Sequence, residues 1–481
     1  MSAPAVTNRS TTAELPVRKG LVVGSYVALG VLLAWSRFAW LGHSFWTDEI
    51  IMVRGYVRGG LDSIFTGSGL NHQLMALLAW AMSSVTGESE VVFRLLSVVP
   101  FIAGVVLVTA WLHRRHGALS GVLFLFLATV SPLLLDITRQ ARGYGLAFMA
   151  MCVVIVAALE AVRTGRTWLV VAMCAAGVIG SWTLPQFAIA FGATCVAVAL
   201  DRSVRRATVV GLVASMALIY TWYAFHTGAV GSASQIEDGV RIGLPWIVTA
   251  PIDQILLPAL IWIDGTALVA GLVWLPLVCA VIVVAAASPL LRVRSSALVL
   301  GSGVVASILV LWVTDAYVIP RYLSFLLVPW FVMVATGAAA LLSGVVQRRA
   351  PVRALLCLIV LAVLAARFAV LAPDVVALPR EANRDAARVI EERGTTTPVI
   401  TYMRNPANLV FYLERPVDEP EPEALEASVC DRDVAVYYVF QPFALDLVDI
   451  SCLDRPGVEH RRFAQYARGD EMNVWFVPPE N

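Results

Sequence analysis

The run LVVGSYVALGVLLAWSRFAWL, residues 21–41, decides the class of this protein. A helix needs about 20 apolar residues to cross the roughly 30 Å hydrocarbon core of a bilayer, and this run is long enough. It follows a polar segment with Arg9, Arg18 and Lys19, and it lacks the small-residue exit of a cleaved signal peptide. The sequence therefore predicts a retained membrane helix, with residues 1–19 as a cytoplasmic tail.

Further apolar runs make an all-α polytopic membrane protein of about 11 transmembrane helices the predicted architecture. Hydrophobic residues form 59% of the 481 residues and charged residues only 14%, whereas soluble domains have about 45–50% and about 25%. This composition excludes a soluble enzyme, and a net charge of +1 gives no positive excess to attract nucleic acid. The ten further runs are about 91–112, 118–135, 145–162, 167–183, 185–200, 207–224, 267–287, 297–313, 323–343 and 354–371.

The distribution of basic residues orients the predicted bundle in the plasma (inner) membrane. With the N-terminus inside, the inner loops hold fifteen Arg and Lys residues and the outer loops seven, as the positive-inside rule expects. Residues 71–86 would reach only about 24 Å as a helix, so we expect them to lie in the outer interface rather than to cross. They belong to an outer loop, 42–90, and a second outer segment, 225–266, has an apolar piece near 255–263 that is also expected at the interface.

From Pro373 onwards the chain changes to dense charge, frequent proline and short β-type runs. With a helix predicted at about 380–393, this pattern indicates a small α/β domain over 373–481, after a transmembrane domain over 20–372. An odd number of spans places the small domain outside, as an extracytoplasmic domain. Its β-type runs are PVITYM (398–403), VAVYYVF (434–440) and NVWFV (473–477).

Cys430 and Cys452 are the only cysteines in this exported domain, where a disulfide is chemically permitted. We expect them to form one; the alternative is two buried free thiols. The other five cysteines fall within spans as small apolar fillers. They are Cys152, Cys174, Cys195, Cys279 and Cys357.

Asp48 and Glu49 stand in SFWTDEI (44–50), a few residues beyond the first span. There their side chains can reach both lipid headgroups and outside water, and such a pair can bind a metal or accept a proton. The alternative is a pair of solvated loop acids. His72 begins the interfacial helix, a position where a lone histidine is commonly structural.

Arginines recur in two further outer segments, LDITRQARGYGL (135–146) and TDAYVIPRYLSF (314–325). An arginine at the hydrocarbon boundary costs about 2.5–3.5 kcal/mol if fully inserted, so it snorkels, pairs or serves a site. Two arginines at one depth facing an acidic pair suit an anionic lipid headgroup, because guanidinium binds phosphate bidentately. The polar and aromatic residues of the two segments include Asp136, Arg139, Gln140, Arg142, Tyr144, Tyr317, Arg321 and Tyr322.

Five short motifs, taken in order, resemble those of bacterial GT-C membrane glycosyltransferases, relatives of family 39, the protein O-mannosyltransferases. The resemblance covers about residues 20–345. It implies a GT-C fold, a polyprenyl-phosphate sugar donor, inverting transfer to a hydroxyl on the outer face, and the loop acid as catalytic base. The motifs are WTDE (46–49), NHQL (71–74), FRLLSVVP (93–100), RQARGYGL (139–146) and PRYL (320–323).

The resemblance assigns Asp48 to the position of the base, Glu49 to its neighbour and His72 to the histidine of the next motif. Gln73 and Leu74 depart from the proline-containing pairs of relatives. A divalent metal held by Asp48, Glu49 and His72 is left open.

The same comparison matches four residues to the binding of the donor phosphate. Gln140 stands where relatives commonly have glutamate, which puts a second acid in doubt, and Asp136 is the substitute that the segment offers. The four phosphate-binding residues are Arg142, Tyr144, Arg321 and Arg94.

Two other functions compete with glycosyl transfer. A transporter or flippase of an amphipathic anionic lipid would also need arginines and acids, but transporters usually place them near the midplane of a repeated bundle. Here the charged residues cluster at one face and no repeat is visible. A non-catalytic relative that binds lipid or a partner is disfavoured by Asp48 and kept open by Gln140. The acceptor, whether protein, lipid or polysaccharide, also stays open.

A reporter fused after Asn481 tests the predicted topology. With the N-terminus cytoplasmic and eleven spans, we expect an alkaline phosphatase fusion at this position to be active and a cytoplasmic reporter to be silent. An active cytoplasmic reporter would contradict the eleven-span arrangement and would place the loop 42–90 on the wrong side.

Overall fold

The computed structural model describes residues 19–66, 72–224, 267–313, 320–346, 351–379, 382–392, 394, 396–402, 407–417, 435–440, 453, 456–464 and 471–478. In chain order the helices are α1 (Lys19–Phe38), α2 (Thr47–Met52), α3 (Gly60–Thr66), α4 (Gln73–Thr86), α5 (Glu90–His116), α6 (Ala118–Val130), α7 (Pro132–Ile137), α8 (Tyr144–Thr164), α9 (Thr167–Thr183), α10 (Phe187–Ala199), α11 (Arg205–Ala224), α12 (Ala267–Ala286), α13 (Arg294–Val313), α14 (Leu327–Val346), α15 (Pro351–Ala377), α16 (Asn383–Glu391) and α17 (Ala407–Leu413). A π-helical turn, Val53–Val57, continues α2, and 3-10 turns cover Pro289–Arg292 and Pro320–Leu326.

Every predicted span coincides with a helix or a pair of consecutive helices. Many of these helices expose large apolar side chains, such as Val213 on α11 and Leu355 on α15. Contiguous apolar surface of this kind would be unfavourable in water, and it suits hydrocarbon. The predicted multi-pass membrane protein is confirmed. Among the described residues, six segments are long and apolar enough to cross a membrane: Lys19–Phe38, Glu90–His116, Tyr144–Thr164, Arg205–Ala224, Arg321–Ser343 and Leu355–Ala377.

The span predicted at 118–135 is interrupted between α6 and α7. Ser131 caps the start of α7 with its side chain, and Pro132 occupies the first turn, where its missing N–H costs nothing. Arg37 of α1 is fully buried and donates hydrogen bonds to the carbonyls of Ala128 and Thr129 at the end of α6. A cation there satisfies carbonyls that a helix end leaves unpaired. The break therefore explains a charge inside the first span.

Gly145 lets the N-terminal parts of α5 and α8 touch. A Cβ at this position would lie 2.0 Å from the carbonyl oxygen of Ser97, so only glycine fits. The backbone N–H of Gly145 also donates to Ser97 Oγ at 3.1 Å. Small residues permit such close helix crossings in membrane bundles. This contact fixes the distance between two features: the part of α5 that carries Arg94, and the turn before Tyr144.

The C-terminal segment forms the expected small α/β domain. Its strands are β1 (Val399–Tyr402), β2 (Val436–Phe440), β3 (Glu459–Ala464) and β4 (Glu471–Val477), in the sheet order β1-β2-β4-β3. β1 and β2 are parallel and the other pairs are antiparallel. Ile390 of α16 and Leu409 of α17 pack on the sheet against Val439 and Val474. The helices therefore cover one face of the sheet.

The structure also shifts several predicted boundaries. The helix predicted at 380–393 is limited to Asn383–Glu391. α15 continues through Pro373 to Ala377, so the last span and the start of the small domain share one helix. Neither β3 nor α17 was expected, because EHRRFA in β3 is mostly charged and lacks an apolar alternation. The predictions for Cys430, Cys452, Tyr317 and the outer segment 225–266 lie outside the described residues.

Candidate active site

Arg94 and Glu49 form a buried ion pair that fixes the outer loop. Arg94 Nε donates to Glu49 Oε1 at 3.0 Å, and Nη2 donates to Oε2 at 2.6 Å. Its other N–H groups donate to three loop carbonyls, those of Leu41 at 2.7 Å, His43 at 2.6 Å and Ser44 at 3.0 Å. A guanidinium has five N–H donors, and all five have a protein acceptor here. Arg94 therefore has no donor left for a phosphate.

Glu49 ties together three separate segments. Besides Arg94 of α5, its carboxylate accepts the backbone N–H of Trp46 at 3.2 Å and that of Ala141 at 2.5 Å. Trp46 is the N-cap residue of α2 and Glu49 is its third helical residue, which is how a capping box satisfies a helix start. Since Glu49 is 0% exposed, it joins the loop, α5 and the turn before α8 from inside the protein.

Asp48 points to a different cluster, which contains two arginines from distant parts of the chain. Its Oδ2 accepts a hydrogen bond from Arg321 Nη2 at 2.8 Å and forms an ion pair with Arg142 Nη1. The Asp48 side chain is 20% exposed, so solvent or a ligand reaches it. One carboxylate and two guanidiniums give this cluster a formal charge of −1 + 2 = +1. The cluster is therefore electropositive although it contains an acid.

Aromatic rings hold the two guanidiniums in place. The Arg321 Cζ lies 5.3 Å from the ring centroid of Trp46 and 5.8 Å from that of Tyr322. The Arg142 Cζ lies 5.7 Å from the ring of Tyr144. Cation–π contacts of this kind orient a guanidinium without using its N–H groups. Those groups stay available for Asp48 or for another anion.

His72 is buried beside these arginines. Only 1% of it is exposed, and its ring meets the Tyr144 ring edge-on at 4.7 Å. Burial lowers the pKa of His72 well below its ordinary value, and the positive charges of Arg142 and Arg321 lower it further. Its imidazole is therefore neutral at physiological pH. Gly143 permits this arrangement, because a Cβ there would lie 2.3 Å from Thr183 Cγ2 and 3.1 Å from His72 Nδ1.

Several buried polar atoms next to this cluster have no hydrogen-bond partner within the described part of the chain. They are both ring nitrogens of His72, the hydroxyl of Tyr144 and Nε of Arg321. Buried polar groups almost always have partners, and each exception needs an explanation. A polar ligand or water bound among these side chains would provide the missing partners.

Asp136 and Gln140 lie behind the Arg94–Glu49 pair. Gln140 Nε2 donates to Asp136 Oδ2 at 2.8 Å, and both residues are buried. With Glu49 and Arg94 they line a cavity of about 30 Å³, which holds about one water. Asp48 does not line this cavity. The region suggested for a second acid therefore lies on the inner side of the loop, away from the electropositive cluster.

A metal site formed by Asp48, Glu49 and His72 does not fit this geometry. Glu49 is fully engaged with Arg94, and Asp48 is engaged with Arg142 and Arg321. No group of three or more His, Cys, Asp or Glu side chains is arranged to hold a metal among the residues described. Two guanidiniums next to Asp48 would also repel a cation.

Asn408 and Tyr412 of the small domain contact the loop that carries Asp48, and the sequence did not point to either. Asn408 contacts Thr47, and Tyr412 contacts Phe45. These pairs are 361 and 367 positions apart, so no local motif could connect them. Trp46, which packs on Arg321, was noticed only as part of the WTDE motif.

The structure is similar to solved membrane glycosyltransferases. ArnT from Cupriavidus metallidurans, in a crystal structure bound to undecaprenyl phosphate, superposes with a TM-score of 0.55 over 95% of this chain and 98% of that chain, at 14% identity. The archaeal oligosaccharyltransferase AglB from Archaeoglobus fulgidus, with an inhibitory peptide and a dolichol-phosphate, gives 0.49 over 83% and 64%, at 10% identity. The arabinofuranosyltransferase AftD from Mycobacteria gives 0.41 over 96% and 40%, at 15% identity.

No protein-family model and no curated protein sequence matches the chain. The GT-C fold expected from the five motifs is confirmed by the similarity to ArnT over nearly the whole of both chains. Membership of family 39 stays a prediction.

Replacing Arg94 by alanine tests the role of the buried pair. The change leaves the carboxylate of Glu49 buried without its cation, which should lower the free energy of unfolding by about 3–5 kcal/mol. Arg163→Ala is the matched control, because Arg163 pairs with Glu160 in an exposed position and should cost about 1 kcal/mol or less. Thermal unfolding of both variants in the same detergent measures the difference. Equal stability of the two variants would show that Arg94 does not anchor the loop.

Proposed function

We propose that this protein is an inverting glycosyltransferase that moves a sugar from a polyprenyl-phosphate donor to an acceptor hydroxyl at the outer face of the membrane. The observation that carries the proposal is the carboxylate of Asp48 held between the guanidiniums of Arg142 and Arg321. Such a transfer needs a proton acceptor next to groups that stabilise a leaving phosphate. Undecaprenyl phosphate bound to ArnT, which has the same fold, supports a polyprenyl-phosphate partner.

The chemistry proceeds by a single displacement at the sugar C1. The acceptor oxygen attacks C1 from the side opposite to the phosphate, and its bond to C1 forms as the bond between C1 and the phosphate oxygen breaks. The electron pair of the broken bond leaves with the lipid phosphate. Asp48 accepts the proton of the acceptor hydroxyl and later passes it to water. The configuration at C1 is therefore inverted.

The ion pairs of Asp48 connect donor binding to activation of the base. A sugar phosphodiester has one negative charge, and the departing monoester gains a second one. The formal charge of +1 on the cluster attracts the first charge, and the guanidiniums of Arg142 and Arg321 stabilise the second. As the arginines turn from Asp48 to the phosphate, the carboxylate becomes free to accept a proton.

The remaining site residues have supporting roles. Neutral His72 and Tyr144 offer an N–H and an O–H to the donor phosphate or to sugar hydroxyls, which would satisfy their unpartnered atoms. Arg94 and Glu49 position the loop instead of contacting the substrate. With residues 1–19 in the cytoplasm and 373–481 outside, Asp48 lies on the exported side, where envelope acceptors are found.

Asp48→Asn tests the catalytic assignment. The change keeps the shape of the side chain and removes the proton acceptor, so turnover should fall by about 10²–10⁴-fold, the usual contribution of a general base. Asp62→Asn is the matched control, since Asp62 is an exposed acid of the same outer loop. Transfer is measured in reconstituted membranes with polyprenyl-phosphate sugars. Near wild-type turnover of the Asp48 variant would refute the assignment and favour a transporter or a binding protein.

Arg142→Ala and Arg321→Ala test the phosphate site. Loss of a charge-assisted contact should weaken the binding of undecaprenyl phosphate about 10- to 100-fold. Lysine at either position should restore binding only in part, because it lacks the planar fork of arginine. Arg54→Ala, an exposed arginine of the same loop, should bind like the wild type. Unchanged affinity in both alanine variants would show that these arginines do not hold the donor.

A further inference from the structure

We infer that the small C-terminal domain positions the base, with Asn408 and Tyr412 as positioning residues for the loop that carries Asp48. This inference rests on the proposed function. It assigns a role to the domain that follows the last span, through contacts that its helices α16 and α17 make with the loop.

Asn408 contacts the residue next to the base. Its Nδ2 donates to Thr47 Oγ1 at 2.8 Å, and both side chains are buried. Thr47 is the first residue of α2, so this bond fixes the first turn of the helix in which Asp48 comes next. The hydrogen bond therefore fixes the backbone position from which the Asp48 side chain extends towards the arginines.

Tyr412 holds the loop two residues before Thr47 and connects it to α5. The backbone N–H of Phe45 donates to the Tyr412 hydroxyl oxygen at 2.5 Å, and that hydroxyl donates to Glu90 Oε1 at 3.3 Å. Glu90 is the first residue of α5, the same helix that carries Arg94. A single hydroxyl thus joins the loop, a membrane helix and the small domain.

Arg384 closes this network at the start of the loop. Its Nη1 donates to Glu90 Oε1 at 2.9 Å, and its Nη2 donates to the carbonyl of Gly42 at 2.6 Å. The small domain therefore holds the loop at three points within six residues, namely Gly42, Phe45 and Thr47.

An apolar contact excludes water from these hydrogen bonds. Phe411 of α17 packs edge-on against Phe45, with 6.3 Å between ring centroids, and belongs to the same buried cluster as Phe93 of α5. Arg58 also packs on Phe411, with its Cζ 4.6 Å from the ring centroid. Burial strengthens hydrogen bonds that would compete with water at an open surface.

These contacts matter because the two sides of the site are fixed by different parts of the protein. Arg142 precedes α8 and Arg321 precedes α14, so the spans set their positions, whereas Asp48 depends on the loop. A displacement of about 1 Å can cost about 10²-fold in rate when a reacting group loses its alignment. The small domain removes that freedom through contacts that add to those of Arg94.

A double-mutant cycle on Asn408 and Thr47 tests the inference. Asn408→Ala removes the donor and Thr47→Val removes the acceptor with little change of shape. Each should lower kcat about 10- to 100-fold while the KM for the lipid donor changes less than twofold. The double variant should be no slower than the slower single variant, because both remove one interaction.

Hydrogen–deuterium exchange supplies a readout that does not depend on the substrate. In Asn408→Ala, Tyr412→Phe and Arg384→Ala, amides of residues 42–52 should exchange about fivefold faster or more, as expected after loss of one hydrogen bond. Arg388→Ala is the matched control, because exposed Arg388 lies on the same helix as Arg384 and, among the described residues, pairs with half-buried Asp385 instead of with the loop. It should leave both the exchange and kcat unchanged.

The two readouts separate failure of this inference from failure of the proposed function. If the wild type transfers sugar and Asp48→Asn does not, but the Asn408 and Thr47 variants keep wild-type kcat and loop exchange, the domain does not position the base. The same holds if the two single variants have independent, additive effects. If the wild type transfers no sugar while loop exchange rises in the variants as expected, the contact between the small domain and the loop is supported. Both the positioning of a base and the proposed function are then refuted.

Discussion

The ion pair between Glu49 and Arg94 is the constraint on which the rest of the site depends. Removing two charges from water is expensive, and the cost is offset only when every donor and lone pair finds a partner. Here the five N–H groups of Arg94 and four N–H donors to Glu49 meet that condition. Neighbouring residues of a helix point about 100° apart. Once Glu49 faces inwards, Asp48 is therefore directed to another side of α2, where the two arginines lie.

One face of α5 contacts the small domain, the loop that carries Asp48 and the start of α8. Glu90, Arg94 and Ser97 are spaced four and three residues apart, so they lie on the same side of the helix. Glu90 accepts from Arg384 of the small domain, Arg94 holds the loop, and Ser97 accepts from Gly145 at the start of α8. The position of Asp48 relative to the membrane helices therefore depends on the spacing of these residues along a single helix.

The sequence predicted the bundle well, because an apolar run of about 20 residues has few alternatives to a membrane helix. It also named Asp48, Arg142, Arg321, His72 and Tyr144, which the structure brings together. It could not separate Arg94 from the other two arginines, because pairing with a carboxylate and binding a phosphate require the same guanidinium. The contact between Asn408 and Thr47 could not be predicted either, since no periodicity connects residues 361 positions apart. Charged β3 gave no strand pattern for a related reason: exposed strands need no apolar face.

The position of the cluster explains why a carboxylate pairs with two cations instead of one. In a largely buried site, two unpaired guanidiniums close together would repel each other strongly. Asp48 reduces that repulsion in the structure, and in the reaction that we propose the lipid phosphate takes over the same role when it binds. Replacement of one anion by another keeps a negative group next to the two guanidiniums at every stage. A site that needs two arginines for the departing phosphate thus needs an acid in the same place, and an acid released by the donor is well placed to accept the proton of the acceptor.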